Sequence, residues 1–206
     1  ILVIWKALVS ETYHNRFVEL AKFKDVELTL IVPTKWHKIN LEKKFCSEYK
    51  IIPRRVVLNG SNHFHWYPGL ARIIRQVRPD ILHIEEEHYS LVTFQAIRLA
   101  KKYNIKCLFV TWQNIYKKYP FPFSRIERYN LKNADYAIAG SKEVKNVLAG
   151  KGFDNKRISE IPLGVDTTMF HKIESTELMS KLCLEAFTIG YLGRFVVEKG
   201  VIDLLK

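Results

Sequence analysis

Short apolar runs alternate with helix-period segments along almost the whole of this 206-residue chain. That alternation restricts the fold more than any other feature. Ile1 to Trp5, Val26 to Pro33, Ile81 to Ile84, Lys106 to Thr111 and Tyr136 to Ala139 read as strands. Tyr49 to Leu58, interrupted by Pro53, and Arg157 to Pro162 read as two more. Between them, Thr12 to Phe23, Pro68 to Val77, Leu91 to Lys102, Phe123 to Asn133 and Ser141 to Ala149 carry helical apolar spacing. Ser141 sits where a helix N-cap belongs, and Gly150 or Gly152 where the helix would stop. The strands are apolar almost throughout, the pattern of strands buried on both faces. The expected fold is therefore α/β, a parallel sheet with helices on both faces. In such sheets ligands sit beyond the carboxyl ends of the strands.

Charge narrows the class of partner. The chain carries 33 basic and 21 acidic residues, a formal net charge of +12. No acidic side chain occurs between His88 and Ile126, a stretch holding Arg98, Lys101, Lys102, Lys106, Lys117, Lys118 and Arg125. Such an excess points to nucleotide phosphates, an acidic lipid surface or nucleic acid, or simply to a solvated basic face. No aromatic-basic RNA motif and no helix-turn-helix pattern is visible, so nucleic acid is not the expected partner. The three cysteines, Cys46, Cys107 and Cys183, are widely spaced and odd in number, which predicts free thiols rather than disulfides or a zinc site. With neither a bilayer-spanning apolar run nor a signal-peptide pattern, the expectation is a cytoplasmic protein that can also sit peripherally at the inner face of the membrane.

The strand ends hold the polar residues worth reading for chemistry. Lys6 to Thr12, after the first strand, contains no glycine, so the G-x-G-x-x-G turn of an NAD or FAD site is missing. Glu85-Glu-Glu87 follows the strand at Ile81. Three adjacent carboxylates can raise one another's pKa and supply an acid or base, or they can cap the next helix. Thr111-Trp-Gln-Asn-Ile-Tyr-Lys-Lys-Tyr-Pro-Phe-Pro-Phe123 could line a sugar or lipid-phosphate pocket, sit at a membrane interface, or cover the sheet edge. His63 and His65 lack a carboxylate or thiol at ligand spacing and read as ordinary loop histidines.

The far end of the chain is more specific. Ile189 to Leu192 reads as a strand opening into a loop with Gly193, Arg194, Lys199 and Gly200, and Val201 to Lys206 reads as the start of a helix. Strand, cationic loop and helix start together suit a phosphate-bearing ligand. The chain starts without Met and stops within that helix, the expected appearance of a fragment.

Four ordered segments resemble the retaining glycosyltransferases of family 4. Gly193-Arg-Phe-Val-Val-Glu-Lys-Gly200 is similar to their G-R-x-x-x-E-K-G loop. Pro162-Leu-Gly-Val-Asp-Thr-Thr-Met-Phe170 is similar to P-x-G-V-D-x-x-x-F, Pro79-Asp-Ile-Leu-His-Ile-Glu-Glu86 to P-D-x-x-H-x-H-E, and Ala134-Asp-Tyr-Ala-Ile-Ala-Gly-Ser141 to A-D-x-x-I-x-x-S. The resemblance implies a two-domain GT-B fold. Residues 1–168 would form an N-terminal, acceptor-binding, Rossmann-like domain; residues 169–206 would be a linker and the first strand, loop and helix of an incomplete donor-binding domain. It further implies a nucleotide-sugar donor, a saccharide or lipid-linked acceptor, and neither metal nor cofactor. Gly193, Arg194 and Lys199 then hold the donor diphosphate, two cations meeting the charge that builds on the leaving group. Glu85, Glu86, Gln113 and Asn114 are the expected acceptor or sugar contacts. Gln113 stands where the family commonly has histidine; an amide can bind a hydroxyl but cannot relay a proton. The family's second glutamate pair would fall beyond Lys206, so this polypeptide is expected to lack appreciable transferase activity. The competing readings are a nucleotide-sugar epimerase on the same fold and a non-catalytic basic module at an acidic membrane surface.

Overall fold

The computed structural model describes residues 1–42, 48–184 and 188–206. Cys46 and Phe187, expected as a free thiol and as the start of a second domain, lie outside them. The chain divides into two compact units, Ile1–Leu163 and Gly164–Lys206, and each is described on its own.

The first unit opens with β1 (Leu2–Ile4), two 3-10 turns (Lys6–Val9 and Glu11–Tyr13) and α1 (Asn15–Ala21). Then come β2 (Thr29–Pro33), a small antiparallel ribbon of β3 (Lys35–Trp36) and β4 (Ile39–Asn40), β5 (Lys50–Arg54) and α2 (Leu70–Val77). The remaining elements alternate: β6 (Ile81–Ile84), α3 (Leu91–Tyr103), β7 (Lys106–Thr111), α4 (Phe123–Asn133), β8 (Tyr136–Ala139), α5 (Lys142–Gly150) and β9 (Ile158–Glu160). Seven strands form one sheet in the order β5-β2-β1-β6-β7-β8-β9, and every pairing is parallel. The expected α/β architecture is present. Pro53 sits in β5, at the sheet edge, where a strand missing one N–H is tolerated.

Alternation along the central strands feeds two core layers. Leu2, Ile4, Ile31, Leu82, Ile84 and Phe109 face α2 and α3 through Leu70, Ile73, Ile74, Val92, Ile97 and Ala100. Val3, Leu30 and Val32 point the other way, against Phe17 of α1 and Leu8, Leu28 and Trp36. Burying the two sides fixes the pairing register, because a one-residue slip would exchange the layers. Leu2, Val3 and Ile4 stand opposite Leu82, His83 and Ile84. The order also reverses at this pair: after β1 the chain builds outward through β2 and β5, then returns to place β6 on β1's other side. Such a switch point leaves a crevice at the carboxyl ends, where the loops part in opposite directions.

The second unit holds α6 (Thr176–Lys181), a 3-10 turn (Val197–Lys199) and α7 (Val201–Leu204). The segment expected as a plain linker thus contains a helix, capped by Ser175, whose hydroxyl accepts from the Leu178 amide at 3.1 Å. The run expected as a strand, Ile189 to Leu192, is not one. A parallel strand needs a neighbour to take its hydrogen bonds, and the described residues of 164–206 contain no other strand. Among the described residues no helix is long and apolar enough to cross a membrane.

Candidate functional site

The crevice at the switch point is filled by the residues following β1 and β6. Lys6 directs both its groups at one carboxylate: its amide donates to Glu86 Oε1 at 2.9 Å, and its ammonium pairs with Glu86 Oε2. His65 Nε2 lies 3.6 Å from Glu86 Oε1. Burial alone would raise the Glu86 pKa, but Lys6 and His65 outweigh it and hold the carboxyl below its usual range. Glu85 turns elsewhere, lying 2.9 Å from His83 Nε2 and 3.0 Å from the Arg16 guanidinium. Burial again opposes ionisation there, and His83 with Arg16 reverses it. Arg16 in turn stacks 4.1 Å over the Trp5 ring. Both glutamates are buried and spent on cations of their own domain.

Glu87, the third of the triplet, is the one that reaches open space. Its carboxylate accepts from the Thr111 hydroxyl and, at 3.1 Å, from the Trp112 amide. With its proton given to Glu87, the Thr111 oxygen accepts from the Gln113 amide at 3.3 Å and lies 3.1 Å from His88 Nδ1. His88 is fully buried, and its Nε2 meets Glu127 Oε1 of α4 at 3.0 Å. Lys151 closes the line with a 2.7 Å bond to the same oxygen. A continuous polar path thus runs from Glu87 through Thr111, His88 and Glu127 to Lys151. Asn130 anchors it by donating to the His88 carbonyl at 2.8 Å.

Glu87 lines a cleft of about 240 Å³ with Tyr89, Trp112, Gln113, Asn114, Ile115, Lys117 and Tyr119. The loop after β7 makes most of this wall. It is stiffened from within, Gln113 Nε2 donating to the Ile115 carbonyl at 3.0 Å and Tyr119 donating to Gln113 Oε1 at 2.9 Å. Tyr119 lies against Tyr89 with ring centroids 4.4 Å apart. Burial pushes the Tyr119 phenol up to about 12 and raises Tyr89 as well, so both stay protonated at neutral pH. Trp112 lies across the start of α5, and a Cβ on Gly140 would come within 2.0 Å of its ring. Aromatic faces, an amide pair and one partly exposed carboxylate suit a polyhydroxylated ligand: the rings cover its apolar faces and the polar groups take its hydroxyls.

Of the residues expected to contact a sugar or acceptor, the fold brings Gln113 and Asn114 together in the cleft and withdraws Glu85 and Glu86 into the crevice floor. The sequence alone does not single out Glu87, His88, Tyr119, Glu127 or Lys151 as a site residue. For Glu87 the signal was present in the triplet, but adjacent residues diverge and nothing in the sequence says which one faces outward. Glu127 and Lys151 give no signal, Glu127 lying 39 residues from His88 and Lys151 24 residues from Glu127. In the second unit Gly193, Arg194 and Lys199 are all exposed, and neither cation has an ion-pair partner among the described residues. Tyr191 shapes the loop by donating to the Arg194 carbonyl at 2.7 Å, and Gly200 turns the chain with φ +67°. Among the described residues no group of three or more His, Cys, Asp or Glu could hold a metal ion.

Residues 11–169 match Glycosyltransferase Family 4, and the chain belongs to that family. No curated protein matches it. Among solved structures, it is similar to Anabaena HepE in complex with UDP-glucose, with a TM-score of 0.58 at 11% identity over 88% of this chain and 49% of that one. An S. aureus MnaA–UDP structure superposes at TM-score 0.52 with 17% identity, covering 87% and 49%. A UDP-GlcNAc 2-epimerase from Methanocaldococcus jannaschii gives TM-score 0.50 with 11% identity, covering 78% and 44%. The chain therefore spans less than half the length of each of these proteins. At such identities the likeness is one of fold, the GT-B-type fold of sugar-nucleotide enzymes.

Proposed function

We propose that this chain supplies the acceptor side, and the opening donor loop, of a glycosyltransferase that moves a sugar from a nucleoside-diphosphate sugar to an acceptor with retention of configuration. The observation that carries this reading is the match to family 4 across a domain whose strand-end cleft is lined by rings, amides and a carboxylate. In this reading Glu87, Gln113 and Asn114 orient the acceptor hydroxyls, while Arg194 and Lys199 neutralise the departing diphosphate. Similar proteins are crystallised with UDP or UDP-glucose, which supports a nucleotide-sugar donor. The acceptor is a saccharide or a lipid-linked saccharide, and the basic surface suits peripheral contact with an acidic membrane.

The test is transfer from a panel of nucleotide sugars by this segment joined to a complete second domain. Arg194→Ala should lower the turnover by roughly 100-fold, the usual cost of removing a charge-stabilising donor, with an unchanged melting temperature. Undiminished turnover would remove Arg194 and the diphosphate assignment. A second reading, epimerisation of the nucleotide sugar, draws on the carboxylate and histidine gathered at one strand end, Glu87 and His88. It is separated by the same assay without acceptor: an epimerase interconverts the sugar nucleotide alone, and a transferase leaves it intact.

A further inference from the structure

Beside the cleft lies a larger groove that the acceptor site does not account for. It measures about 640 Å³ and runs between the 116–119 loop, α4 and the end of α5. Its lining is cationic: Lys117 and Lys118 on the loop, Arg128 and Lys132 on α4, Lys151, and Arg157. Glu127 is the only carboxylate in that lining, and its charge is taken by Lys151, whose ammonium also donates to the Lys117 carbonyl at 2.7 Å. Lys151 is nearly buried, with 5% of its side chain exposed, and sits 4.9 and 5.3 Å from the rings of Tyr116 and Tyr119. It is a structural cation that fixes the loop to the helices. Arg157 is also partly engaged, donating to the Ala134 carbonyl at 2.9 Å and lying 3.6 Å from Asp154.

The other four are not. Lys117, Lys118, Arg128 and Lys132 have no carboxylate within ion-pair distance among the described residues. Arg128 and Lys132 stand one turn apart on the same helix, and Lys117 and Lys118 are neighbours. Like charges one turn apart on a helix repel, a cost that an anion between them would reverse. A concave pocket walled by one sign of charge also concentrates the opposite one.

We propose that this groove binds a phosphate-bearing ligand, its phosphate or diphosphate held by Arg128, Lys132 and the Lys117–Lys118 pair. Phosphate fits this set of groups: an arginine forks onto two of its oxygens, and lysines add point charge around the remainder. Lys117 and Tyr119 line both the groove and the cleft, so the two are contiguous. A ligand can therefore lay its sugar against Glu87, Gln113 and Asn114 and its phosphate in the groove. Naming that ligand an acceptor rests on the transferase reading; the groove's affinity for phosphate does not.

The experiment is titration of inorganic pyrophosphate into this chain carrying Arg194→Ala and Lys199→Ala, which removes the diphosphate loop from the measurement. Adding Arg128→Glu and Lys132→Glu should weaken binding by ~10-fold or more at 0.1 M salt. Arg72→Glu with Arg75→Glu on α2 changes the net charge equally and should leave affinity within about twofold, since those exposed residues lie outside the groove. Arg128→Gln with Lys132→Gln, milder toward the helix, should fall between the two. Flotation with phosphatidic acid vesicles against phosphatidylcholine identifies the source. Capture that is lost with Arg128→Glu and Lys132→Glu assigns a lipid phosphate, whereas pyrophosphate binding without capture assigns a soluble one. Equal losses in the groove and α2 variants, or no binding in either assay, would overturn the proposal. Either failure is distinct from that of the transferase reading, which rests on turnover with Arg194 intact.

Discussion

Single residues at the switch point show how a charge can serve the fold rather than the reaction. Glu86 is 2% exposed and fully used by Lys6 and His65. Removing one member of such a buried pair leaves the other uncompensated, so Glu86→Gln should cost about 3 kcal/mol, read as a lower urea midpoint. The pH dependence follows from the same group. Its folded pKa is depressed, so its contribution is complete above the unfolded value of about 4.3 and is lost as pH falls through the lower folded value. Acidification from pH 6 toward pH 3 should therefore destabilise the wild type more steeply than Glu86→Gln. Gly140 poses a steric question instead of an electrostatic one. An added methyl would meet the Trp112 ring at 2.0 Å, and both the ring and the cleft wall must move. Gly140→Ala should alter the near-ultraviolet circular dichroism and cost about 2 kcal/mol as an overpacked contact.

At the scale of elements, β6, β7, β8 and α4 were legible to the residue, because an apolar run bounded by polar residues has few alternatives. Ser141 does cap α5, its hydroxyl accepting from the Val144 amide at 3.4 Å. Ser90 does the same for α3 at 3.3 Å, and it is fully buried. Ser90→Ala should lower stability by about 1 kcal/mol in urea denaturation while leaving the β7 loop in place. Elements that depend on remote partners were less legible. Thr12 to Phe23 has helical spacing, yet its first residues form a 3-10 turn, and α1 begins only at Asn15. The strand expected at Ile189 to Leu192 needs a ladder that the described residues of the second unit do not contain. Cysteine reactivity divides along the same line. Cys107, inside β7, is buried and its thiol is raised to about 11 by burial, whereas Cys183 is exposed. Alkylation under native conditions followed by mass mapping should label Cys183 and spare Cys107 until the sheet unfolds.

At the scale of the whole molecule, the division at Leu163 and Gly164 predicts where a protease acts. Residues 164–174 are exposed throughout and contain no helix or strand. Limited proteolysis should cut there and leave a fragment of residues 1–163 that keeps its circular dichroism and unfolds cooperatively. Degradation of residues 1–163 at the same rate would mean that the first unit does not stand alone. Local order, namely apolar periodicity, caps and turn residues, was enough to define a parallel α/β domain and the strand ends as the place for chemistry. Those properties depend on side chains a few positions apart, which the chain states directly. Gln113 and Asn114 were expected contacts only through the resemblance to the family. The choice of Glu87 over Glu85 and Glu86 as the outward carboxylate came only with the packed sheet. So did the joining of His88 to Glu127 and Lys151, and the gathering of cations from a loop, α4 and the end of α5 into one groove. Each of these depends on contacts between residues distant in sequence, and burial and charge pairing settle them only after the elements have come together.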